Sequence, residues 1–433
     1  MKLAGMSYMD IHKIGGGIYY TVEQTRKASE NTLLRLLLAR LDQMLKSGTT
    51  LVEAKSGYGL QMQTEMKMLQ VIEKAKIESP IEISSTFCGA HAVPKHMTSH
   101  QATEAVLNEQ LPAVAEFMKA GEFTVDNIDV FCEKGVFDLE QSRRILSAGK
   151  EMGLQINFHG DELNPMEAAK MGAELGAKAI SHLEEISTQG ILAMAQSGTV
   201  AVVLPTTAYM LRLRPPPVKR MIEAGVPIAL GTDFNPNAFC YSMPLVMHLA
   251  CVLCGMTMEQ ALQASTINAA AALGKADTHG SLERGKCADM LIINAPRWEH
   301  LIYQMGAHSS LIDKVMKKGK VKVNKQWALA VTEIGQHDHP EADMRSFQWG
   351  CIHVLSLLAL TFAFLLKIMI LKLIFRDNMV QGTIFIIISL HVLPMMSTFS
   401  SPNRMWRNHS ADYPELQLLC QDGVSGTVTN AQH

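Results

Sequence analysis

The stretch INFHGDELNP (156–165) decides the fold, because an apolar run of the kind that forms a buried strand ends in His159, Asp161 and Glu162. A strand inside a protein hides apolar side chains, so three ionisable groups at its end need partners or a reaction to serve. Other apolar runs of strand length recur along the chain. Together with 154–160, they are 49–56, 81–87, 127–133, 177–183, 199–205 and 227–233.

Amphipathic segments lie between these runs. EAVLNEQLPAVAEFMKAG (104–121) and LEQSRRILSAGKEMG (139–153) repeat apolar residues at spacings of three and four and end in glycine, which is typical of helices. The alternation of strands and helices predicts a parallel sheet with crossover helices.

Polar residues follow the predicted strands at their C-terminal ends, which form the active-site face of a (β/α)8 barrel. They are Lys55, Tyr58, His91, Glu133, His159, Glu162, His182 and Asp233. Seven strands cannot close an eight-stranded barrel, and an open sheet exposes two edges. The sequence therefore predicts an α/β fold: a TIM-barrel-like (β/α)8 barrel without its first strand over 1–274, followed by a partial small β domain over 275–326.

The composition is that of a globular protein, and it is compatible with a small, nearly neutral substrate. The 433 residues are 48% hydrophobic, and 39 Lys+Arg against 41 Asp+Glu leave a formal net charge of -2, which gives no reason to expect a nucleic-acid partner. The eight cysteines are scattered through apolar stretches, and the first ten residues lack the apolar core of a signal peptide. Reduced thiols and a cytoplasmic location are expected.

The alternation of predicted strands and helices ends near residue 327, and the composition changes there. The run 349–366, extended through Phe375, has about the length of a membrane span, although Lys367 and Lys372 lie inside it. A second apolar run, 382–396, is shorter. The tail 327–433 is therefore an atypical segment, and a membrane would be contacted only through 349–396. The alternative to an enzyme is a non-catalytic, membrane-attached barrel remnant.

Metal-dependent hydrolysis is the chemistry that the polar rim suggests, because it needs imidazole and carboxylate ligands with one position open for water. His159 and Asp233 are ligands of the right types. Glu162 could take a proton from water, and His182 could polarise a carbonyl. Taken singly, each of these residues is more often a cap or a salt-bridge partner in a loop. Four of them on one rim favour a catalytic site.

Longer motifs carry a family resemblance. NFHGDE, SHLEE, GTDFNPNA and GSLERGKCADML resemble the amidohydrolase superfamily, while KSGYGL, GAHAVP and LAGMSYMDIHKIGGGI are similar to its imidazolonepropionase family. The resemblance covers residues 1 to about 325. It implies hydrolysis of the ring amide of 4-imidazolone-5-propanoate to N-formimidoyl-L-glutamate, in histidine degradation, with one zinc or iron ion. Whether the chain forms a homodimer is not decided by the resemblance.

The resemblance also implies roles for individual residues. His159 and Asp233 would bind the metal, Glu162 and Asp233 would move protons around the attacking water, and His182 would face the substrate carbonyl. The substrate and the open-chain product would be held by Tyr8, Tyr58, His91, Glu162, Asn235, Asn237 and Ala238.

Two departures from the family pattern affect the expected activity. The small β domain lacks the family's N-terminal segment, and an unrelated apolar tail replaces its C-terminal segment from about Gln326. The family's first barrel strand supplies an H-x-H with two metal ligands, followed by an arginine that binds the substrate carboxylate, and the sequence begins after these residues. Loss of ligands weakens a metal site strongly, so we expect little or no hydrolase activity from this chain. Another amidohydrolase reaction on the same rim, such as deamination, is the remaining alternative.

Overall fold

The computed structural model describes residues 17–325, and its main sheet is parallel. Its seven strands follow one another in chain order across the sheet, and each pairs with the next. They are β1 (Leu51–Lys55), β2 (Glu82–Ala90), β3 (Asn127–Cys132), β4 (Gln155–Gly160), β5 (Ala179–His182), β6 (Val200–Val203) and β7 (Ile228–Leu230). The sequence places each strand within about three residues of its observed bounds, and the predicted α/β class is confirmed.

Helices connect the strands and pack around the sheet. They are α1 (Ile18–Lys27), α2 (Glu30–Lys46), α3 (Met62–Glu78), α4 (Ser99–Ala105), α5 (Leu111–Ala120), α6 (Leu139–Glu151), α7 (Ala168–Leu175), α8 (Thr188–Ser197), α9 (Pro205–Leu211), α10 (Val218–Glu223), α11 (Met243–Cys254), α12 (Met258–Ser265), α13 (Ile267–Ala272), α14 (His300–Tyr303) and α15 (His308–Leu311). A π-helical turn, Val106–Gln110, joins α4 to α5.

Local sequence signals set the helix ends. Asp138 and Gln141 form a capping box at the start of α6, which satisfies backbone N–H groups that have no partner within the helix. Gly121 follows α5 with φ 77°, a left-handed conformation that glycine adopts without strain. These ends agree with the helices that the sequence predicts for 104–121 and 139–153.

The helices bury their apolar faces against the outer surface of the sheet. Phe158 of β4 and Ile180 of β5 are fully buried beneath α7. A Cβ atom on Gly172 would lie 2.6 Å from the Phe158 ring, so this glycine lets α7 approach the sheet closely. The close packing fixes the direction in which β4 and β5 deliver their terminal residues.

A second sheet contains β8 (Met290–Ile293), β9 (Ile312–Lys317) and β10 (Lys320–Asn324), which are antiparallel in the order β10-β9-β8. The buried Lys317 of β9 lies 2.7 Å from Asp289 and 3.4 Å from Glu82, and His279 lies 3.2 Å from Glu82. Glu82 begins β2. This polar cluster therefore joins the small sheet to the N-terminal end of the main sheet, away from the polar rim.

Within residues 17–325, no helix is both long enough and apolar enough to cross a membrane. The proposed membrane segment 349–375 lies outside the described residues, as does Tyr8.

Candidate active site

A cavity of about 1300 Å³ opens at the C-terminal ends of the strands. The predicted metal ligands, His159 at the end of β4 and Asp233 just after β7, both line it. So do most of the other predicted site residues, namely Glu162, His182, Tyr58, His91, Asn235 and Asn237. His159 and Asp233 thus share one cavity, and their binding of a common metal ion stays a prediction.

His159 is held by a buried carboxylate. Its Nδ1 lies 2.8 Å from Oδ1 of Asp129 on β3, and the same oxygen accepts the His159 backbone N–H at 3.1 Å. Metal-binding histidines commonly use one ring nitrogen for the ion and bond the other to a carboxylate. The contact with Asp129 thus leaves Nε2 as the atom that could hold a metal ion.

Lys55 completes this arrangement from β1. Its Nζ lies 2.7 Å from Oδ2 of Asp129 and 3.0 Å from Oε1 of Glu53. Burial would raise the pKa of Asp129, but His159 and Lys55 hold that pKa well below its usual range. Burial likewise opposes the charge on Lys55, yet the two carboxylates raise its pKa. A network of alternating charges therefore forms part of the cavity wall.

Cys88 forms a second candidate metal cluster with Asp129 and His159, since their ligand atoms lie within 4.8 Å of one another. Burial and the neighbouring Asp129 raise the pKa of the Cys88 thiol well above its usual range, which keeps it protonated. Lys55 already supplies a positive charge to Asp129, and a cation placed beside it would be repelled. The Nε2 side of His159, towards the cavity, is the better position for an ion.

His182 lies between two acidic side chains. Its Nε2 is 3.6 Å from Glu162, and its Nδ1 is 3.8 Å from Glu184. Burial and the nearby His159 lower the pKa of His182 well below its usual value, while burial and Glu162 raise the pKa of Glu184 to about 9. Near pH 7 these contacts are therefore between a neutral imidazole and its acidic neighbours, and they are not ion pairs.

Three of the imidazoles that line the cavity lie in a row. The ring centroid of His159 is 5.3 Å from that of His182 and 5.6 Å from that of His91. His91 bonds the carbonyl of Gly57 through Nδ1 at 3.0 Å, and its ring meets the Tyr58 ring edge-on at 5.2 Å. Burial and His159 lower the pKa of His91 to about 4. His91 and Tyr58 thus form an uncharged aromatic wall.

Asp233 occupies a turn immediately after β7, with φ 45°. Its carboxylate accepts a short hydrogen bond from the Thr207 hydroxyl. Burial raises the pKa of Asp233, although the Thr207 bond and His159 act in the opposite direction. A carboxylate with few donors in a buried site is suited to bind a cation or a proton.

Not every polar residue of the rim faces the cavity. Asp161 accepts backbone N–H bonds from Met166, Ala168 and Ala169 at 2.8–3.1 Å, and so fixes the start of α7. Glu133 accepts the N–H of Leu163 at 2.9 Å. Asp161 and Glu133 shape the loop that carries Glu162.

The loop after β7 also uses its polar groups internally. Asn235 donates through Nδ2 to the Asp233 carbonyl at 2.7 Å and accepts the Asn237 N–H at 2.7 Å. Ala238 is buried, and its N–H bonds the Asn235 carbonyl at 3.1 Å. Unlike Asn235 and Asn237, Ala238 does not line the cavity, and its N–H is already used.

Sequence reasoning missed Asp129, Glu184 and Thr207. Asp129 had a usable signal, because it is a charged residue at an inner position of an otherwise apolar strand, where only a paired charge is stable. Thr207 lies on α9, and nothing in its sequence context marks it as a partner of Asp233.

A curved parallel sheet with histidine and aspartate side chains at its strand ends defines the class of metal-dependent hydrolase barrels. The chain belongs to the amidohydrolase family, whose model matches residues 28–322. It is 65% identical over 326 residues to a probable imidazolonepropionase of Nematostella vectensis, with 75% of this chain and 76% of that protein covered. The corresponding human protein is 62% identical over 321 residues, with 74% of this chain and 75% of that protein covered.

Solved structures share the fold at low sequence identity. A guanine deaminase from C. acetobutylicum with bound guanine superposes with a TM-score of 0.54 at 16% identity, over 70% of this chain and 77% of that chain. An adenosine deaminase from Xanthomonas campestris with bound zinc gives a TM-score of 0.55 at 17% identity, over 74% and 75% of the two chains. These likenesses support the barrel fold alone.

Proposed function

We propose that this chain carries the imidazolonepropionase site, which hydrolyses the ring amide of 4-imidazolone-5-propanoate to N-formimidoyl-L-glutamate. The relatives at 62–65% identity support the substrate. The observation that carries the proposal is His159, oriented by Asp129 into the cavity that Asp233 shares. The described cysteines are free thiols, which suits the reducing cytoplasm.

His159 and Asp233 are the described residues that would hold a zinc or iron ion. The imidazole and carboxylate types fit such an ion, and the bond from His159 to Asp129 is the support that a histidine ligand usually has. When bound, the ion would lower the pKa of a coordinated water and polarise the amide carbonyl. Two protein ligands hold an ion weakly, so we expect the purified chain to lose metal to a chelator.

Proton transfer falls to Glu162, Asp233 and His182. Glu162 lies at the cavity beside His182, where its carboxylate could accept a proton from the attacking water. His182 is neutral near pH 7, so it can donate one hydrogen bond to the substrate carbonyl without a buried positive charge. The carboxylate that accepts the proton of the attacking water, Glu162 or Asp233, could return it to the ring nitrogen as the amide bond breaks.

Tyr58 and His91 would hold the substrate ring. Their edge-on pair presents an uncharged surface next to His159, which suits a planar, neutral imidazolone. Asn235 and Asn237 would lie towards the propanoate of the substrate or the open-chain product. The family resemblance adds Tyr8 as a further contact. Ala238 could contribute only through the shape of this loop.

The test is turnover of 4-imidazolone-5-propanoate by the full chain with zinc or iron in excess. We expect slow, metal-dependent hydrolysis that Glu162→Gln and His182→Asn lower by roughly 100-fold, because general acid–base groups contribute about that much. Glu140→Gln, an exposed residue on α6, is the matched control and should stay within about twofold of the parent.

Two outcomes would contradict the proposal. Faster release of ammonia from guanine than hydrolysis of the imidazolone would favour a deaminase. No turnover of either compound in excess metal would show that this chain is not a catalyst. Metal content measured before and after chelator treatment separates a lost ion from a missing active site.

A further inference from the structure

Glu65 is a buried carboxylate that lies behind residues 57–60, a segment named here the Tyr58 loop. It belongs to the first turn of α3, and its side chain is 0% exposed. Among the described residues, Tyr58 and His91 line the active-site cavity, whereas Glu65 does not. A buried carboxylate is stable only with partners that replace water, so the contacts of Glu65 indicate what it does.

The partners of Glu65 are backbone N–H groups of the Tyr58 loop. Its Oε1 accepts the Gly59 N–H at 2.7 Å and the Leu60 N–H at 2.8 Å. Its Oε2 accepts the Gly57 N–H at 2.9 Å. The two oxygens therefore hold the loop on both sides of its aromatic residue.

The backbone of the Tyr58 loop is shaped to fit this carboxylate. Leu60 has φ 56°, a left-handed conformation that leucine rarely adopts, and its N–H is one of those that Glu65 accepts. A Cβ atom on Gly59 would lie 2.8 Å from Oε1 of Glu65, so glycine is needed for this close approach. The Gly59 carbonyl accepts from Nε of Arg26 at 2.8 Å. The loop is thus held through its N–H groups and also through a carbonyl.

Gly57 links the loop to His91. Its N–H is held by Oε2 of Glu65, and its carbonyl oxygen lies 3.0 Å from Nδ1 of His91. Because a carbonyl can only accept, Nδ1 is the ring atom that carries the hydrogen. In a neutral imidazole, Nε2 is then an acceptor, which can receive a hydrogen bond from an N–H group of a bound ring.

We propose that Glu65 is a positioning residue for the substrate ring: it holds Gly57, and Gly57 in turn fixes the orientation and the tautomer of His91. The proposal rests on the function proposed above, in which His91 and Tyr58 hold the imidazolone. It adds a source of specificity, because an acceptor at Nε2 of His91 favours rings that carry an N–H group, as the imidazolone does.

The variant Glu65→Gln tests the link to Gly57. In the orientation that keeps most bonds, the glutamine oxygen still accepts from Gly59 and Leu60, while its NH₂ group faces the Gly57 N–H. We expect amide hydrogen exchange of the full chain to become roughly tenfold faster at Gly57 and to change less than about threefold at Gly59 and Leu60. Equal exchange at Gly57 in the variant and the parent would overturn the proposal.

Binding of imidazole-4-propanoate, which has a similar ring and tail but lacks the ring amide, measures the effect on the cavity. With zinc in excess, we expect Glu65→Gln to raise its dissociation constant roughly tenfold by calorimetry, as should His91→Phe, which keeps an aromatic ring without nitrogen. In the His91→Phe background, Glu65→Gln should add less than about twofold. Additive losses would overturn the proposal, because a general loosening of the fold would act with or without His91.

The matched control is Glu73→Gln. Glu73 lies on the same helix and also accepts a backbone N–H, that of Thr124 at 2.9 Å, but it does not line the cavity. This variant should stay within about twofold of the parent in both measurements, and losses equal to those of Glu65→Gln would overturn the proposal. A parent chain that does not bind the probe would contradict the function proposed above, and the substrate role of Glu65 with it, even if Glu65→Gln releases Gly57.

Discussion

Asp129 is the residue whose surroundings explain most of the site. It is fully buried, it holds His159 through one oxygen, and it pairs with Lys55 through the other. An isolated buried carboxylate would be costly, so the two partners are what make the position tolerable. The orientation of His159 therefore depends on a balance of charges from three strands, β1, β3 and β4.

Replacing Asp129 tests this balance. Asp129→Asn keeps the shape but removes the charge that Lys55 faces, so we expect the free energy of unfolding to fall by about 3 kcal/mol or more. Urea denaturation at pH 7 measures the change. Asp138→Asn is the matched control, because asparagine caps a helix as well as aspartate does, and it should change stability by less than about 0.5 kcal/mol. Equal losses in both variants would contradict a special role for Asp129.

Neighbouring residues in the segment between β4 and α7 have different roles. His159 and Glu162 face the cavity, while Asp161 turns the other way, with φ 52°, and binds three N–H groups near the start of α7. The polar end of INFHGDELNP thus combines two functional groups with one structural cap.

Removing that cap should loosen the loop that carries Glu162. Asp161→Ala leaves three backbone N–H groups without their acceptor, so we expect a loss of roughly 2 kcal/mol in the free energy of unfolding. Asp161→Asn should lose less, since asparagine keeps an acceptor and tolerates positive φ. Thermal or urea unfolding compares the two variants, and an alanine variant as stable as the asparagine variant would show that the bonds do not matter.

At the scale of the elements, the strands could be predicted from the sequence, because each apolar run corresponds to a buried strand. The polar residues that follow these runs could be placed together, because parallel strands end at the same side of the sheet. Asp129 could be recognised as a buried charge that needs partners, but the identity of those partners could not be predicted, since Lys55 and His159 are 74 and 30 residues away in the chain. The π-helical turn inside the predicted helix 104–121 was also missed. It comes just before Pro112, whose ring nitrogen cannot donate to the preceding turn.

At the scale of the whole molecule, the polar cluster around Glu82 couples the small sheet to the barrel. Burial would raise the pKa of Glu82, but Lys317, His279 and Lys275 lower it to about 2 from a usual value of 4.5. As the pH falls below 4.5, the unfolded chain takes up a proton at this position while the folded chain does not. The stability that this carboxylate contributes is therefore present above pH 4.5 and lost towards pH 2.

This predicts a pH dependence that one substitution should reduce. Between pH 5 and pH 2.5, Glu82 should account for roughly 1–2 kcal/mol of the lost stability, since solvent screens the charges around this partly exposed carboxylate. Glu82→Gln should flatten the profile accordingly. Urea midpoints across this range measure the effect, and the difference between variant and parent removes the contribution of other acids. Parallel profiles for the two proteins would show that the cluster does not depend on this charge.

Within residues 17–325, β1 and β7 are the end strands of the main sheet, and this has a further consequence when many copies are present. The β1 edge and the β7 edge are unlike surfaces, so pairing between copies would join the front of one molecule to the back of the next. In terms of the described residues, every added copy would offer the same edge as the one before it. Association of this kind grows into chains whose length rises with concentration, and a short peptide that occupies the terminal edge would act as a chain stopper.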